Sequence, residues 1–145
     1  MIFILEDNPA RLVEMRHVLD RELPNHARRI EDDCAKAVAW LAGHQAEVDL
    51  ISLDHDLDSV PRPGEDPPVD HGDGRGVVDH LEGQPPTCPV IVHTSNAVAG
   101  DGMYYTLLRA GWPVFRVYPF DHHRWIARGW ADQIRELKAK GWLTA

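Results

Sequence analysis

Short, mostly apolar runs alternate along the chain with amphipathic segments. The clear runs are Ile2–Leu5, Val48–Leu53, Pro89–Val92 and Val114–Tyr118, and Arg28–Glu31 is a weaker candidate. Runs of this length and composition are typical of parallel strands that are covered on both faces. The pattern therefore predicts five β-strands.

The segments between these runs carry helix signals. Asn8 followed by Pro9 predicts a capped helix start, and Asp73 is expected to cap a third helix. Gly43 is expected to end the second helix. A fourth helix is expected around residues 103–110, where apolar residues recur at helical spacing.

The last helix is expected to begin at Asp121, with Phe120 and Trp125 packed against each other as a hydrophobic staple. We interpret Trp125, Trp130 and Trp142 as packing or interface residues. A homodimer formed through this helix is therefore one alternative for the role of the protein.

Strict alternation of five strands and five helices defines the fold class. It predicts one α/β domain over residues 1–145, with a five-stranded parallel sheet and helices on both faces. Residues 58–73 are rich in Pro, Gly and Asp and form one long predicted loop. A loop of that length in a compact domain is usually functional or mobile.

Composition indicates the cellular compartment and the kinds of partner to expect. The chain has 145 residues, a net charge of −8 and a hydrophobic fraction of 43%. Its apolar runs are too short to cross a bilayer, and its first residues lack the pattern of a signal peptide. We therefore expect a cytoplasmic protein without a membrane partner. An acidic domain is a poor match for an extended nucleic-acid surface, whereas a single nucleotide or an RNA end is compatible with it.

Polar residues gather directly after three of the predicted strands. In open parallel sheets, ligands bind beyond the carboxyl ends of the strands, so these residues are expected to share one site. They are Glu6 and Asp7 after the first strand, Asp54, His55 and Asp56 after the third, and His93, Thr94, Ser95 and Asn96 after the fourth.

Glu6, Asp7 and Asp54 form a candidate metal site. Carboxylates held close together repel one another unless a cation lies between them. Mg²⁺ is the usual ion for a few carboxylates and water, and Mn²⁺ is a second candidate. The alternative is structural, because acidic residues also favour the positive end of a following helix.

His55 and His93 are the candidate catalytic pair. A carboxylate beside a histidine orients the ring and keeps it basic, which suits proton transfer. Asp54 and Asp56 would orient a histidine, or Asp54 would join Asp7 at a metal. The alternative for His93 is a histidine that is fully hydrogen-bonded at a strand end.

Ser95 and Asn96 are expected to stabilise phosphoryl oxygens beside these histidines. Thr94 is a further candidate for contact with the substrate, and Gly74 lies in a Gly-rich stretch whose backbone amides would approach a phosphate. The structural alternative is that Ser95 and Asn96 cap the next helix.

An acidic pair after the first strand, an Asp after the third and a hydroxyl residue after the fourth resemble the receiver domains of response regulators. The resemblance implies a flavodoxin-like fold with Mg²⁺ at Glu6, Asp7 and Asp54, phosphorylation of Asp54, and a contact from Thr94 or Ser95. Receivers also carry a lysine after the fifth strand. This chain has Tyr118-Pro119 there, which argues against ordinary phosphoacceptor signalling.

A closer resemblance is to the cyclic-phosphate-processing receiver domain. It is carried by Leu53-Asp54-His55-Asp56-Leu57, by Gly74 and Gly76, and by His93-Thr94-Ser95-Asn96. It implies a phosphoesterase that processes a cyclic phosphate through His55 and His93, with a small phosphorylated ligand or nucleotide as substrate. A receiver-type signalling module, or a phosphate-binding module without turnover, is the alternative.

Overall fold

The computed structural model describes residues 1–58 and 61–144 and contains one five-stranded, all-parallel sheet. The strands are β1 (Ile2–Leu5), β2 (Arg28–Glu31), β3 (Leu50–Leu53), β4 (Val90–Val92) and β5 (Val114–Arg116). Their order is β2-β1-β3-β4-β5. The predicted flavodoxin-like class is confirmed, including the weak strand β2.

Within the described ranges, five α-helices connect and cover the strands. Two irregular turns of helix accompany them, a 3₁₀ turn at Gln45–Glu47 after the second helix and a π-helical turn at Ile126–Trp130 before the fifth. The α-helices are α1 (Pro9–Glu22), α2 (Cys34–His44), α3 (Gly74–Glu82), α4 (Ala97–Arg109) and α5 (Ala131–Ala139).

The sheet separates two apolar clusters because successive strand residues point to opposite faces. Phe3 and Leu5 of β1 face α2, α3 and α4, whereas Ile2 and Ile4 face α1 and α5. All four β1 side chains are fully buried. Helices therefore cover both faces, which explains why the strand sequences are continuously apolar.

Two of the predicted helix caps are confirmed. Asn8 Oδ1 accepts the amides of Ala10 and Arg11, at 3.0 and 3.2 Å. Asp73 Oδ1 accepts the amide of Gly76 at 3.3 Å. These caps fix where α1 and α3 begin, at the edge of the sheet where the polar residues gather.

Other boundaries differ from the sequence predictions. Gly43 lies inside α2, which continues to His44, since an isolated glycine weakens a helix without ending it. The fourth helix begins at Ala97 because Asn96 caps it. Strand β5 ends at Arg116 instead of Tyr118.

The start of the last helix was also predicted too early. Asp121 and His122 have φ angles of 55° and 54°, a left-handed conformation that no helix start uses. Helical structure begins at Arg124. Phe120 is 56% exposed, whereas Trp125 is fully buried. The predicted hydrophobic staple between these two side chains is therefore not formed.

Trp125 and Trp130 are fully buried in the cluster between the sheet, α1 and α5. They are packing residues and offer no surface to a second copy of the chain. No helix in the described ranges is long and apolar enough to cross a membrane.

Candidate functional site

Three carboxylates converge at the carboxyl edge of the sheet. β1 and β3 are neighbours in register, with Leu5 opposite Leu53, so the residues that follow them lie side by side. One carboxylate oxygen from each of Glu6, Asp7 and Asp54 lies within 4.8 Å of the others. The side chains predicted as a metal site are therefore brought together.

Glu6 is fully buried and has partners on both carboxylate oxygens. Oε1 accepts the amide of Asn8 at 3.1 Å, and Oε2 lies 3.0 Å from Nε2 of His93 and 3.6 Å from Nη1 of Arg11. Burial by itself would raise the pKa of Glu6. His93 and Arg11 outweigh burial and lower this pKa, so Glu6 is an anion at neutral pH.

Asp54 is also buried, and its environment is less favourable to charge. Oδ1 accepts the amide of His55 at 2.7 Å, and Oδ2 lies 3.4 Å from Nη1 of Arg11. Burial raises the pKa of Asp54 to about 6. Among the nearby charges, that of His93 lowers this pKa and that of Glu6 raises it. Two buried carboxylates side by side are an arrangement that a cation stabilises.

Arg11 is a member of the site that the sequence analysis missed. Its Nη1 contacts both buried carboxylates, its side chain is 16% exposed, and its guanidinium lies 5.5 Å from the ring centre of Trp125. The sequence does contain a signal. A basic residue in the first turn of a helix is disfavoured by the helix dipole, so Arg11 needs a compensating partner.

His93 is fully buried, with partners for both ring nitrogens. Nδ1 lies 2.8 Å from Ser52 Oγ, which also accepts the indole N–H of Trp130 at 2.9 Å, and Nε2 faces Glu6. Nε2–H donates to Glu6, and Ser52 Oγ donates to Nδ1 when the ring is neutral or accepts from it when the ring is protonated. The ring also stacks on Trp125 at 5.7 Å.

The two histidines predicted as a catalytic pair have different surroundings. His93 has no exposed surface with which to contact a substrate. Its Nε2 is hydrogen-bonded to the buried carboxylate of Glu6. His55 has a 17% exposed side chain and different partners, since Nδ1 lies 2.7 Å from Asp56 Oδ1 and Nε2 lies 3.5 Å from Asp73 Oδ2. The two rings share no bonding partner.

The loop between β4 and α4 serves mainly to start the helix. Thr94 is fully buried, and its Oγ1 accepts the amide of Asn96 at 3.1 Å. Asn96 Oδ1 accepts the amide of Ala99 at 3.1 Å and caps α4. The capping alternative is thus correct for Asn96, while Ser95 is exposed at the edge of the sheet.

The sequence predicted that the backbone amide of Gly74 would approach a phosphate, but this amide already has a partner in the protein. That amide donates to the carbonyl of His55 at 2.8 Å. A Cβ at this position would lie 1.9 Å from the backbone oxygen of Asp54. Gly74 therefore allows α3 to pack directly against the chain that follows β3.

The cluster of Glu6, Asp7 and Asp54 fits a divalent cation. Its ligands are all carboxylate oxygens, the donors that Mg²⁺ and Mn²⁺ prefer. Two of the three are buried beside each other, where an unbalanced pair of negative charges is unfavourable. Arg11 offsets part of that charge at one edge.

Comparison of the fold with solved structures identifies its class. Response regulator Rcp1 in its Mn²⁺-bound form has 19% identity and a TM-score of 0.64, covering 99% of this chain and 95% of the other. The phosphorylated cyanobacterial phytochrome response regulator RcpA has 22% identity and a TM-score of 0.66, covering 94% and 91%. CheY of Borrelia burgdorferi, in a complex with CheX, BeF₃ and Mg²⁺, has 15% identity and a TM-score of 0.63, covering 99% and 89%. The fold is that of a receiver domain.

Within that class, residues 2–109 match the family described as the cyclic-phosphate processing Receiver domain. The match extends from β1 through α4 and includes the polar residues that follow β1, β3 and β4. The chain belongs to this family, as its strand-end motifs predicted. A search of curated protein sequences found no match.

Proposed function

We propose that this protein is a phosphoesterase that hydrolyses a cyclic phosphodiester with the help of a divalent cation. The observation that carries the proposal is the convergence of Glu6, Asp7 and Asp54 within 4.8 Å of one another, with the Arg11 guanidinium against two of them. Membership of a family named for cyclic-phosphate processing supports the substrate class.

Glu6, Asp7 and Asp54 would hold Mg²⁺ or Mn²⁺. When bound, such an ion supplies Lewis-acid stabilisation of the charge on the reacting phosphate. His93 fixes the Glu6 carboxylate at 3.0 Å, so one ligand is positioned before any cation arrives. Precise placement of ligands by a second layer of hydrogen bonds is a common requirement of metal sites.

Arg11 is proposed to bind the phosphoryl oxygens. A guanidinium carries five N–H donors, and the contacts with Glu6 and Asp54 both use Nη1. Arg11 Nε is buried without a hydrogen-bond partner in the described part of the chain, so Nη2 is the nitrogen left to face a substrate. Donors therefore remain for the negative charge that grows on the phosphate in the transition state.

His55 is proposed to protonate the leaving group. Water attacks phosphorus and releases one proton to solvent, one ring P–O bond breaks, and His55 gives its proton to the departing alkoxide. The product is a phosphomonoester, and His55 regains a proton from solvent. Asp56 orients the ring of His55 through Nδ1, whereas Nε2 has only a weak contact at 3.5 Å. Nε2 is thus the nitrogen available for proton transfer.

The competing function is receiver-type signalling by phosphorylation of Asp54. Its support is the position of Asp54 directly after β3 in a receiver fold. The sequence after β5 is Tyr118-Pro119 instead of a lysine. Lys138 donates to the carbonyl oxygen of Glu22 at 2.8 Å and is engaged elsewhere.

The partner expected from these features is a small phosphorylated molecule. A net charge of −8 opposes binding to a long nucleic-acid backbone. Cytoplasmic location and the absence of a membrane partner stay predictions.

One experiment separates the two functions. The purified protein is incubated with Mg²⁺ and either a 2′,3′-cyclic nucleotide or a small phosphodonor. Our proposal predicts a phosphomonoester product in the first reaction and no acid-labile phosphate on Asp54 by mass spectrometry in the second. Stable phosphorylation of Asp54 without hydrolysis of any cyclic phosphate would instead establish the signalling function.

A further inference from the structure

A cavity lies between the first turns of α1 and the segment that leads into the last helix. Its volume is about 550 Å³. Ala10, Val13 and Ala127 form its aliphatic part, and His122, His123 and Arg124 line it from the other side. We call it the α1 pocket. A cavity of this size accommodates a ligand ring system.

Two pairs of chain neighbours connect the lining of the α1 pocket with the surroundings of the carboxylate site. Arg11, which contacts Glu6 and Asp54, follows Ala10 of the pocket in sequence, and Trp125 follows Arg124. The Arg11 guanidinium lies 5.5 Å from the ring centre of Trp125. The α1 pocket therefore lies one residue along the chain from Arg11 and from the Trp125 ring that the Arg11 guanidinium faces.

The chemistry of the lining favours a flat aromatic ring with polar edges. Histidine rings and arginine guanidinium planes are surfaces on which nucleobases stack, and His122, His123 and Arg124 provide three of them in succession. Nδ1 of His123 is buried without a hydrogen-bond partner in the described ranges. Glu14 adds a carboxylate acceptor to the lining.

The turn that carries these rings is held in an uncommon conformation. Asp121 and His122 both have left-handed φ angles, 55° and 54°. Non-glycine residues keep such angles where the surrounding structure imposes them, frequently at ligand sites. This turn places His122 and His123 opposite the first turns of α1.

We propose that the α1 pocket binds the nucleobase of a nucleoside cyclic phosphate while its phosphate lies at Arg11. The inference rests on the proposed function and narrows its substrate class. An inositol or glycerol cyclic phosphate has no aromatic ring to fill this pocket. The acidic net charge favours a mononucleotide over a strand.

The test compares adenosine 2′,3′-cyclic phosphate with ribose 2′,3′-cyclic phosphate, which lacks the base. Because stacking of one base contributes about tenfold or more in affinity, we expect KM to be about tenfold lower for the nucleotide. Val13→Asp, which places a charge in the aliphatic part, and His122→Asn, which removes a ring but tolerates a left-handed φ, should raise KM for the nucleotide alone.

Leu108→Asp is the matched control, since Leu108 and Val13 are both 47% exposed and Leu108 lies near the end of α4. This variant should behave as wild type. Equal KM values for the two substrates, unchanged by Val13→Asp, would overturn the nucleobase inference and leave the phosphoesterase function intact.

A binding measurement keeps the two ideas separate. Adenosine without phosphate should shift the Val13 methyl signals in NMR spectra of wild type and not the Leu108 methyl signals. If neither cyclic phosphate is hydrolysed but adenosine still shifts Val13, the nucleobase pocket is supported and the phosphoesterase function is wrong. Absence of both effects overturns both.

Discussion

His93 Nε2 lies 3.0 Å from Oε2 of Glu6, and neither side chain has any exposed surface. The pair connects the ends of β4 and β1 across β3, which lies between them in the sheet. Ser52 of β3 completes the link through Nδ1 at 2.8 Å. His93, which sequence alone suggests as a catalyst, therefore supports a buried carboxylate.

Replacing His93 should lower the free energy of unfolding. His93→Ala leaves a buried Glu6 carboxylate without its main partner, which typically costs about 3–5 kcal/mol. Urea denaturation would measure the loss. His55→Ala removes a partly exposed ring and should cost less than about 1 kcal/mol. Equal stability of the two variants would contradict the structural role of His93.

Loss of one carboxylate from the cluster should weaken cation binding. We expect Mn²⁺ to bind the wild type, and Asp54→Asn to weaken binding by at least about tenfold, since metal affinity falls with the charge of the ligands. Isothermal titration calorimetry would measure it. The control is Asp79→Asn, which removes an exposed carboxylate of α3 that is bonded to Arg75. Equal Mn²⁺ affinity in both variants would contradict the site.

In our proposal, Arg11 competes with a cation for two of the carboxylates and also binds the phosphate. Its removal should therefore strengthen metal binding and weaken catalysis. Arg11→Gln is expected to tighten Mn²⁺ binding by about fivefold, equivalent to about 1 kcal/mol of removed repulsion. The same variant should lower kcat for a cyclic phosphate by about a hundredfold, because a donor to the phosphoryl group is lost. Arg16→Gln, on an exposed position of α1, is the control. Weaker metal binding together with unchanged kcat would refute this role.

The anchoring of the segment from Glu65 to His71 should depend on pH. His71 Nδ1 lies 2.9 Å from Asp33 Oδ2, and Nε2 lies 2.6 Å from Glu65 Oε1. The hydrogen bond with Asp33 is the main cause that raises the pKa of His71 above 6.5. A raised histidine pKa stabilises the fold fully below the unfolded value, and this stabilisation is lost as pH rises through the folded value.

The difference in melting temperature between wild type and His71→Asn should therefore be larger at about pH 5.5 than at about pH 8.5. His17→Asn, which changes an exposed histidine of α1, serves as the control. A difference in melting temperature that grows with rising pH would show that protonated His71 does not stabilise this segment through Asp33 and Glu65.

Apolar patterning was sufficient to predict the sheet, the helix faces and the edge where the site lies. Parallel strands buried on both faces read as apolar runs, and Asn8 and Asp73 mark helix starts by local hydrogen bonds. The acidic cluster was predictable for the same reason, since Glu6 and Asp54 end neighbouring strands.

Side-chain partnerships across the sheet were not predictable in this way. The role of His93 depends on Ser52, which is an isolated polar residue in an apolar strand, and on Trp130, which comes 78 residues later in the chain. Asp121 failed as a helix start because the chain takes a left-handed turn there. Two consecutive non-glycine residues in a left-handed conformation are uncommon, so local sequence rules did not indicate this turn.

The most direct test of the account is a ³¹P NMR time course of adenosine 2′,3′-cyclic phosphate hydrolysis with Mg²⁺ or Mn²⁺ and after chelation. We predict a phosphomonoester signal from wild type and from Asp79→Asn when the cation is present, and none after chelation or from Asp54→Asn. Hydrolysis that persists in chelator, or in Asp54→Asn at the wild-type rate, would contradict a reaction centred on the Glu6, Asp7 and Asp54 cluster.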